Sequence, residues 1–535
     1  MPDRREFLKT GLIGAAAVAA SSRLELGAQA PAPVPAFELE EFTLAELGAG
    51  LASGRFTSQQ LVQAYSQRIA DIDRQGPTLR AVLEMNPDAM ALALKADEER
   101  KAGGALRPLH GIPVLVKDNV ATADRMSTSA GSLALADARS PKDSFVAAQL
   151  RRAGAILLGK TNLSEWANLR STHSSSGWSG RGGQTRCPYA LDRSPSGSSS
   201  GSGAAVSASE CPVAIGSETD GSIVSPACAN GLVGIKPTVG LVGRTGIVPI
   251  SHTQDTAGPM ARTVADAAVL LSAIAGADPD DAAARGSAGK TQDYVQALDP
   301  GGLKGARLGV VRKYAGESRA VDALFDDALQ VLRGAGAEIV DPVEIGGLGQ
   351  FEAQELMVLL YEFKAGLDAY FRWFGPSSPL KSLADAIEFN ERHAEREMPY
   401  FGQELFQQAQ EKGPLSTPEY LKALSQCRRQ SREEGIDGAS RKHRLDALIC
   451  PTGTAAWPID LVNGDGGYLS SSTLAAVAGY PHVTLPMGYV FGLPVGISFF
   501  GRAWAEATLI RLAYAFEQRT RFRKAPKFLP TAEVK

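Results

Sequence analysis

The sequence predicts an α/β protein: one large domain built on a mixed β-sheet covered by helices on both faces. Three observations lead there. Short apolar runs alternate with segments of helical periodicity along most of the 535 residues. The runs are continuously apolar, as strands buried on both faces require. The composition, 44% hydrophobic and 21% charged, is that of a globular chain and sets disorder, collagen and coiled coil aside.

Taken in order, the chain opens with Arg4-Arg5, then Phe7-Leu8-Lys9, a short apolar run from Leu12 to Ala20, and Ala28-Gln29-Ala30. This resembles a twin-arginine export signal over residues 1–30, too short to span a bilayer, and implies a periplasmic or secreted protein. Pro31-Ala32-Pro33-Val34-Pro35 reads as an extended linker over 31–40. The remainder, 41–535, reads as the domain. Thr43 with Glu46 and Thr57 with Gln60 have capping-box spacing, so helices start there. After the second, Leu61, Tyr65, Ile69 and Ile72 form one apolar face. Strands are predicted at 112–116, 155–158, 212–215, 308–311, 447–450, 483–485 and 495–499. Helices are predicted at 144–153, 263–275, 321–334, 351–374 and 506–519. The Ser- and Gly-dominated stretch 171–203 reads as a functional loop, because long irregular segments inside compact domains usually are.

The charge balance, 55 Lys+Arg against 58 Asp+Glu, argues against a nucleic-acid partner. No run after residue 30 is long and apolar enough for a membrane span. Of the five cysteines none forms a CxxC pair, and an odd number cannot pair completely within one chain. Only six histidines are present, so the chemistry must be done largely without imidazole.

Three motifs invite a reading. Residues 154–161, Gly-Ala-Ile-Leu-Leu-Gly-Lys-Thr, match the P-loop pattern, but their variable positions are themselves an apolar strand and cannot cradle a phosphate. Ser378-Pro379-Leu380-Lys381 matches SxxK without the partners that motif needs and reads as a surface turn. Gly197-Ser198-Ser199-Ser200-Gly201 contains GxSxG, which would make Ser199 an α/β-hydrolase nucleophile. A turn-rich segment, not a strand, precedes it, and that alternative stays open.

A fourth arrangement fits better. The strand at 212–215 runs into Gly216-Ser217-Glu218-Thr219-Asp220-Gly221-Ser222, placing a hydroxyl at the carboxyl end of a sheet strand, where α/β folds bind ligands. A serine there needs a base. Lys117, ending the strand at 112–116, is the candidate, because burial lowers an ammonium pKa.

Lys117-Asp118-Asn119, the Gly/Ser segment from Pro195 to Gly203, and Gly216 to Ser222 resemble the amidase signature family. Gly234-Ile235-Lys236-Pro237-Thr238 and Asp255-Thr256-Ala257-Gly258-Pro259-Met260 continue the likeness, which spans about residues 40–525. The nucleophile loop is similar to that of bacterial peptide amidases, with Glu218, Asp220 and Ser200 where most members carry Asp, Gly and Gly. The resemblance implies the amidase signature fold and a Ser-Ser-Lys triad of Ser222, Ser198 and Lys117, with a cis peptide before Ser198. It also implies an oxyanion hole of the backbone N–H groups of Thr219, Asp220, Gly221 and Ser222, with Ser199 supporting. Asp118 and Asn119 shape the turn. Neither cofactor nor metal is called for. The expected partner is a small-molecule or peptide amide substrate, and residues 345–445 are expected to form a variable wall over it. An exported binding protein without catalysis is the non-enzymatic alternative.

Overall fold

Apolar strands that end in polar residues at one edge are what position a site in this fold. The computed structural model describes residues 34–103 and 106–534; the export signal read at 1–30 lies outside them. The strands of the main sheet are β1 (Val82–Met85), β2 (Pro113–Lys117), β3 (Ile156–Thr161), β4 (Val213–Glu218), β5 (Val233–Lys236), β6 (Thr256–Ala261), β7 (Arg307–Val310), β8 (Glu338–Val340), β9 (Ala447–Pro451), β10 (His482–Val490) and β11 (Leu493–Phe500). Among the described residues all eleven join one mixed sheet in the order β1-β3-β2-β4-β6-β5-β10-β11-β9-β7-β8. β3, β2 and β4 are parallel, with Val116 paired to both Lys160 and Ile215. They therefore end together at Lys117, Thr161 and Glu218. β6 then runs antiparallel to β4. Every residue of these three strands is buried, so both sheet faces are covered.

The helices include α1 (Leu44–Ser53), α2 (Ser58–Ile69), α3 (Phe145–Arg152), α4 (Ser200–Ser207), α5 (Val224–Ala229), α6 (Val264–Ile274), α7 (Arg319–Gly334), α8 (Glu352–Phe374) and α9 (Glu506–Thr520). α1 and α2 begin with the expected capping boxes at Thr43/Glu46 and Thr57/Gln60. One large apolar core lies on the sheet. A second, with Phe363, Leu367, Phe371 and Phe374, gathers α8 and the helices after it.

Each predicted strand and helix is present within a few residues of its expected bounds. β1, β5, β6 and β8 were not legible: β1 and β8 are short, and β5 and β6 carry Gly or Pro, so burial rather than propensity makes them strands. Two readings need correction. Residues 34–40, read as linker, pack on the domain, with Leu39 buried and the Phe37 ring 5.5 Å from Tyr65. The Gly/Ser stretch is not all loop: its end is the fully buried helix α4. At Gly201 a Cβ would stand 2.2 Å from the Ala81 carbonyl and 2.6 Å from the Asn162 amide, so backbone packs on backbone there. The five cysteines are all buried free thiols.

Candidate active site

Parallel pairing sets the ends of β2 and β4 side by side, and Lys117 is the last residue of β2. Its side chain is wholly buried. Nζ lies 2.8 Å from Ser198 Oγ and donates to Ser217 O at 3.1 Å and to Ser217 Oγ at 3.0 Å. Burial pulls the Lys117 ammonium down to about 7, opposed by the carboxylates of Glu218 and Asp255. A neutral amine has two N–H bonds and one lone pair. With Ser217 taking both N–H bonds, the lone pair is left for the Ser198 hydroxyl.

Ser198 follows a cis Gly197–Ser198 peptide, and its carbonyl accepts the Ser164 amide at 3.1 Å. Ser199 does a different job. Its buried hydroxyl donates to Ser217 O (3.1 Å) and accepts from Ser217 N (3.2 Å), pinning the start of α4 to β4. Among the described residues the cavity lining includes Ser198 and Ser222 but not Ser199. Asn119 Nδ2 donates to Ser217 Oγ at 2.8 Å. Asp118 points away from this cluster, accepting from Ser129, from the Gly131 amide and from Arg181 Nη1 at 3.3 Å, so it shapes the turn.

The loop from Glu218 to Ser222 is held by its side chains. Glu218 Oε2 accepts the amides of Ile223 (2.7 Å) and Val224 (3.0 Å) at the start of α5. Thr219 Oγ1 donates to Asp255 Oδ1 at 2.6 Å. Asp220 accepts from Ser472 Oγ and from Thr473 Oγ1, the latter at 2.7 Å. Gly221 has φ +81°, and a Cβ would stand 2.9 Å from both Ser225 Oγ and Ser472 Oγ, so only glycine fits. The backbone amides of Thr219, Asp220, Gly221 and Ser222 find no acceptor among the described residues. Four unspent donors on one turn are what a nest for an anion requires.

Ser222 is 8% exposed and opens onto a cavity of about 350 Å³. Ser198, Ser217, Asn119 and Thr219 share its floor, Ile247, Val248, Ile250, Tyr370 and Trp373 its apolar wall. Arg244, paired with Asp281 through two 2.7 Å bonds, closes one side. No hydrogen bond joins the Ser198 and Ser222 hydroxyls, although both line this cavity. The expected wall at 345–445 is only partly realised. α8 supplies Gly366, Ala369, Tyr370 and Trp373, while 244–256 and 280–281 supply much of the rest.

The P-loop match is confirmed as false: Lys160 is buried in β3, its Nζ held by Val120 O (2.6 Å) and Thr128 Oγ1 (3.0 Å). In the SxxK match, Lys381 Nζ donates to Ser378 O at 2.6 Å, closing a turn. Sequence reasoning missed Ser217, the hub joining Lys117, Asn119 and Ser199. The signal was the pairing of β2 with β4, which no single strand's pattern reveals.

Comparison with known proteins gives a consistent picture. The amidase family model matches residues 60–510. A probable amidase of Arabidopsis thaliana is 42% identical over 503 residues, 92% of this chain and 93% of that one. Among solved structures, a peptide amidase in complex with the competitive inhibitor chymostatin is 53% identical, covers 92% of this chain and 100% of its own, and superposes with a TM-score of 0.90. Native peptide amidase from Stenotrophomonas maltophilia is 52% identical with a TM-score of 0.88 over the same shares. A sequence match over 92% of the chain, on a shared fold, places it in the amidase signature family, and it is an amidase, a hydrolase of amide bonds.

Proposed function

We propose that the chain releases ammonia from the C-terminal amides of peptides through Ser222, Ser198 and Lys117. The observation that carries this is the buried Lys117 amine, 2.8 Å from Ser198 Oγ beside a cavity that also holds Ser222. Neutral Lys117 takes the Ser198 proton while Ser198 takes that of Ser222, whose Oγ attacks the amide carbon. The tetrahedral oxyanion forms against the free amides of Thr219 to Ser222; losing one such donor costs about 10²–10³ in rate. The same relay returns a proton to the leaving nitrogen, ammonia departs, and water enters to hydrolyse the acyl-enzyme.

The peptide substrate is supported by the likeness to peptide amidases, and by a cavity with a polar floor for the amide and an apolar wall for the adjoining side chain. That wall, with Tyr370 and Trp373, also suits aryl amides, the second reading. Ser222→Ala and Lys117→Ala are each expected to lower ammonia release from a peptide amide by at least about 10³-fold. A Ser222→Ala enzyme that keeps its rate sinks the nucleophile assignment. A wild type faster on benzamide than on any peptide amide sinks the substrate assignment. We further propose, from the paired arginines at positions 4 and 5, that the protein works in the periplasm or outside the cell.

A further inference from the structure

Glu355 stands in the first turn of α8, far from the cavity wall that helix builds, and is nearly fully buried at 7% exposure. The Gln254 Nε2 amide bridges its Oε1 (2.9 Å) and the carbonyl of Thr219 (3.4 Å), and burial and then the charge of Asp220, the next residue of that turn, push the Glu355 carboxyl up. Asp220 belongs to the turn whose amides are unspent, at a position where the family resemblance leads one to expect glycine. Neither acid has an ion-pair partner among the described residues. Two carboxylates close together in a dry place cannot both ionise.

The surrounding donors say where the proton sits. Asp220 already accepts from two hydroxyls, Ser472 and Thr473, which suits an anion. Glu355 accepts only the Gln254 Nε2 amide at 2.9 Å, and so has a hydroxyl left to give. The other charged or titratable groups facing the pair are Lys236, which favours the Asp220 anion, and Glu218, Glu352, Tyr314 and Cys427. We propose that Glu355 is a positioning residue for catalysis: it donates a proton to Asp220 and so ties the oxyanion-binding turn to α8. The same Gln254 amide reaches the Thr219 carbonyl at 3.4 Å, a second strut between helix and turn.

The sign of the pH effect follows. Burial and the Asp220 charge hold the Glu355 carboxyl well above the usual carboxylate range. An acid so raised keeps its contact below its folded pKa and loses it as pH rises through that value. Loss leaves two facing anions, the turn is pushed off α8, and the oxyanion donors move. Above about pH 7 Lys117 is neutral, so a fall of kcat there is not a failure of the relay.

The inference rests on the proposed role of the 219–222 amides, and its test separates the two. Ammonia release from N-acetylphenylalaninamide is measured from about pH 6 to pH 10 for wild type, Ser222→Ala, Glu355→Gln and Glu355→Ala. Glutamine still donates to Asp220 but does not titrate. Glu355→Gln is expected to keep kcat within about threefold at neutral pH and to lose the alkaline fall of kcat. Glu355→Ala is expected to lower kcat about 10–100-fold with KM changed less than about threefold, the pattern of a misplaced oxyanion donor. An alkaline fall unchanged in Glu355→Gln, or a wild-type kcat in Glu355→Ala, overturns the proposal. An active Ser222→Ala overturns the reading beneath it instead. If Glu355→Ala does not fold, the pH profile of Glu355→Gln still decides.

Discussion

The proposed chemistry turns on a single ammonium without a charged partner in contact. Lys117 is poised near neutrality because burial lowers it to about 7 while Glu218 and Asp255 hold it from going lower. The proposed relay needs the neutral amine, so kcat/KM should rise with pH through about 7. Glu218→Gln removes a charge that favours the ammonium, yet keeps an acceptor for the amides of Ile223 and Val224. Its effect should be to move the acidic limb of the kcat/KM profile to lower pH, leaving more activity in acid. A limb that stays in place, or moves up, would show that Glu218 does not set the lysine. Lys160 is a useful contrast: equally buried and lowered to about 8, it spends its Nζ on a carbonyl and a threonine and meets no cavity serine.

At the level of elements, α4 shows why composition misleads. Its serines and glycines look like linker, yet Ser202 Oγ donates to Ile215 O at 2.9 Å and Ser200 Oγ to Ser196 O at 2.7 Å. Gly201→Ala should therefore destabilise by about 1–3 kcal/mol or more, because the clashing atoms are backbone and cannot swing aside. Gly48→Ala, on an exposed face of α1 with nothing within 4 Å of the added carbon, should stabilise by about 0.5–1 kcal/mol. Denaturant melts of the two variants settle both signs. The same contrast explains what was legible. Strands such as Ile156–Thr161 announce themselves by apolar continuity, and Thr43 and Thr57 by their caps. Lys117 and Ser222 stood out by strand-end position, and Ser198 only through the family resemblance. Ser217, Glu355, Arg244 and the apolar wall were not legible, because each acquires its role from a partner remote in the chain, as with the 100-residue separation of Ser217 from Lys117.

On the scale of the whole molecule, the sheet is a device for bringing remote segments together. Lys117 and Ser198 are 81 residues apart, and α8 comes from the second core. Such long-range closure costs chain entropy that only a large buried core can offset. The export proposal is tested at this scale too. Arg4→Lys with Arg5→Lys should leave amidase activity intact but confine it to the cytoplasmic fraction of an expressing bacterium. Undiminished periplasmic activity in that variant would refute it.

One consequence concerns how such an enzyme could be re-tailored. α8 lines the cavity, from Gly366 to Trp373, and in the role proposed for Glu355 it also holds the turn that carries Ser222. The two tasks lie eleven residues apart, about 16 Å along the helix axis. Side chains at the far end are thus free to drift toward new substrates under selection without disturbing the chemistry. An insertion or deletion within the helix has no such freedom, since it would rotate one task away while keeping the other.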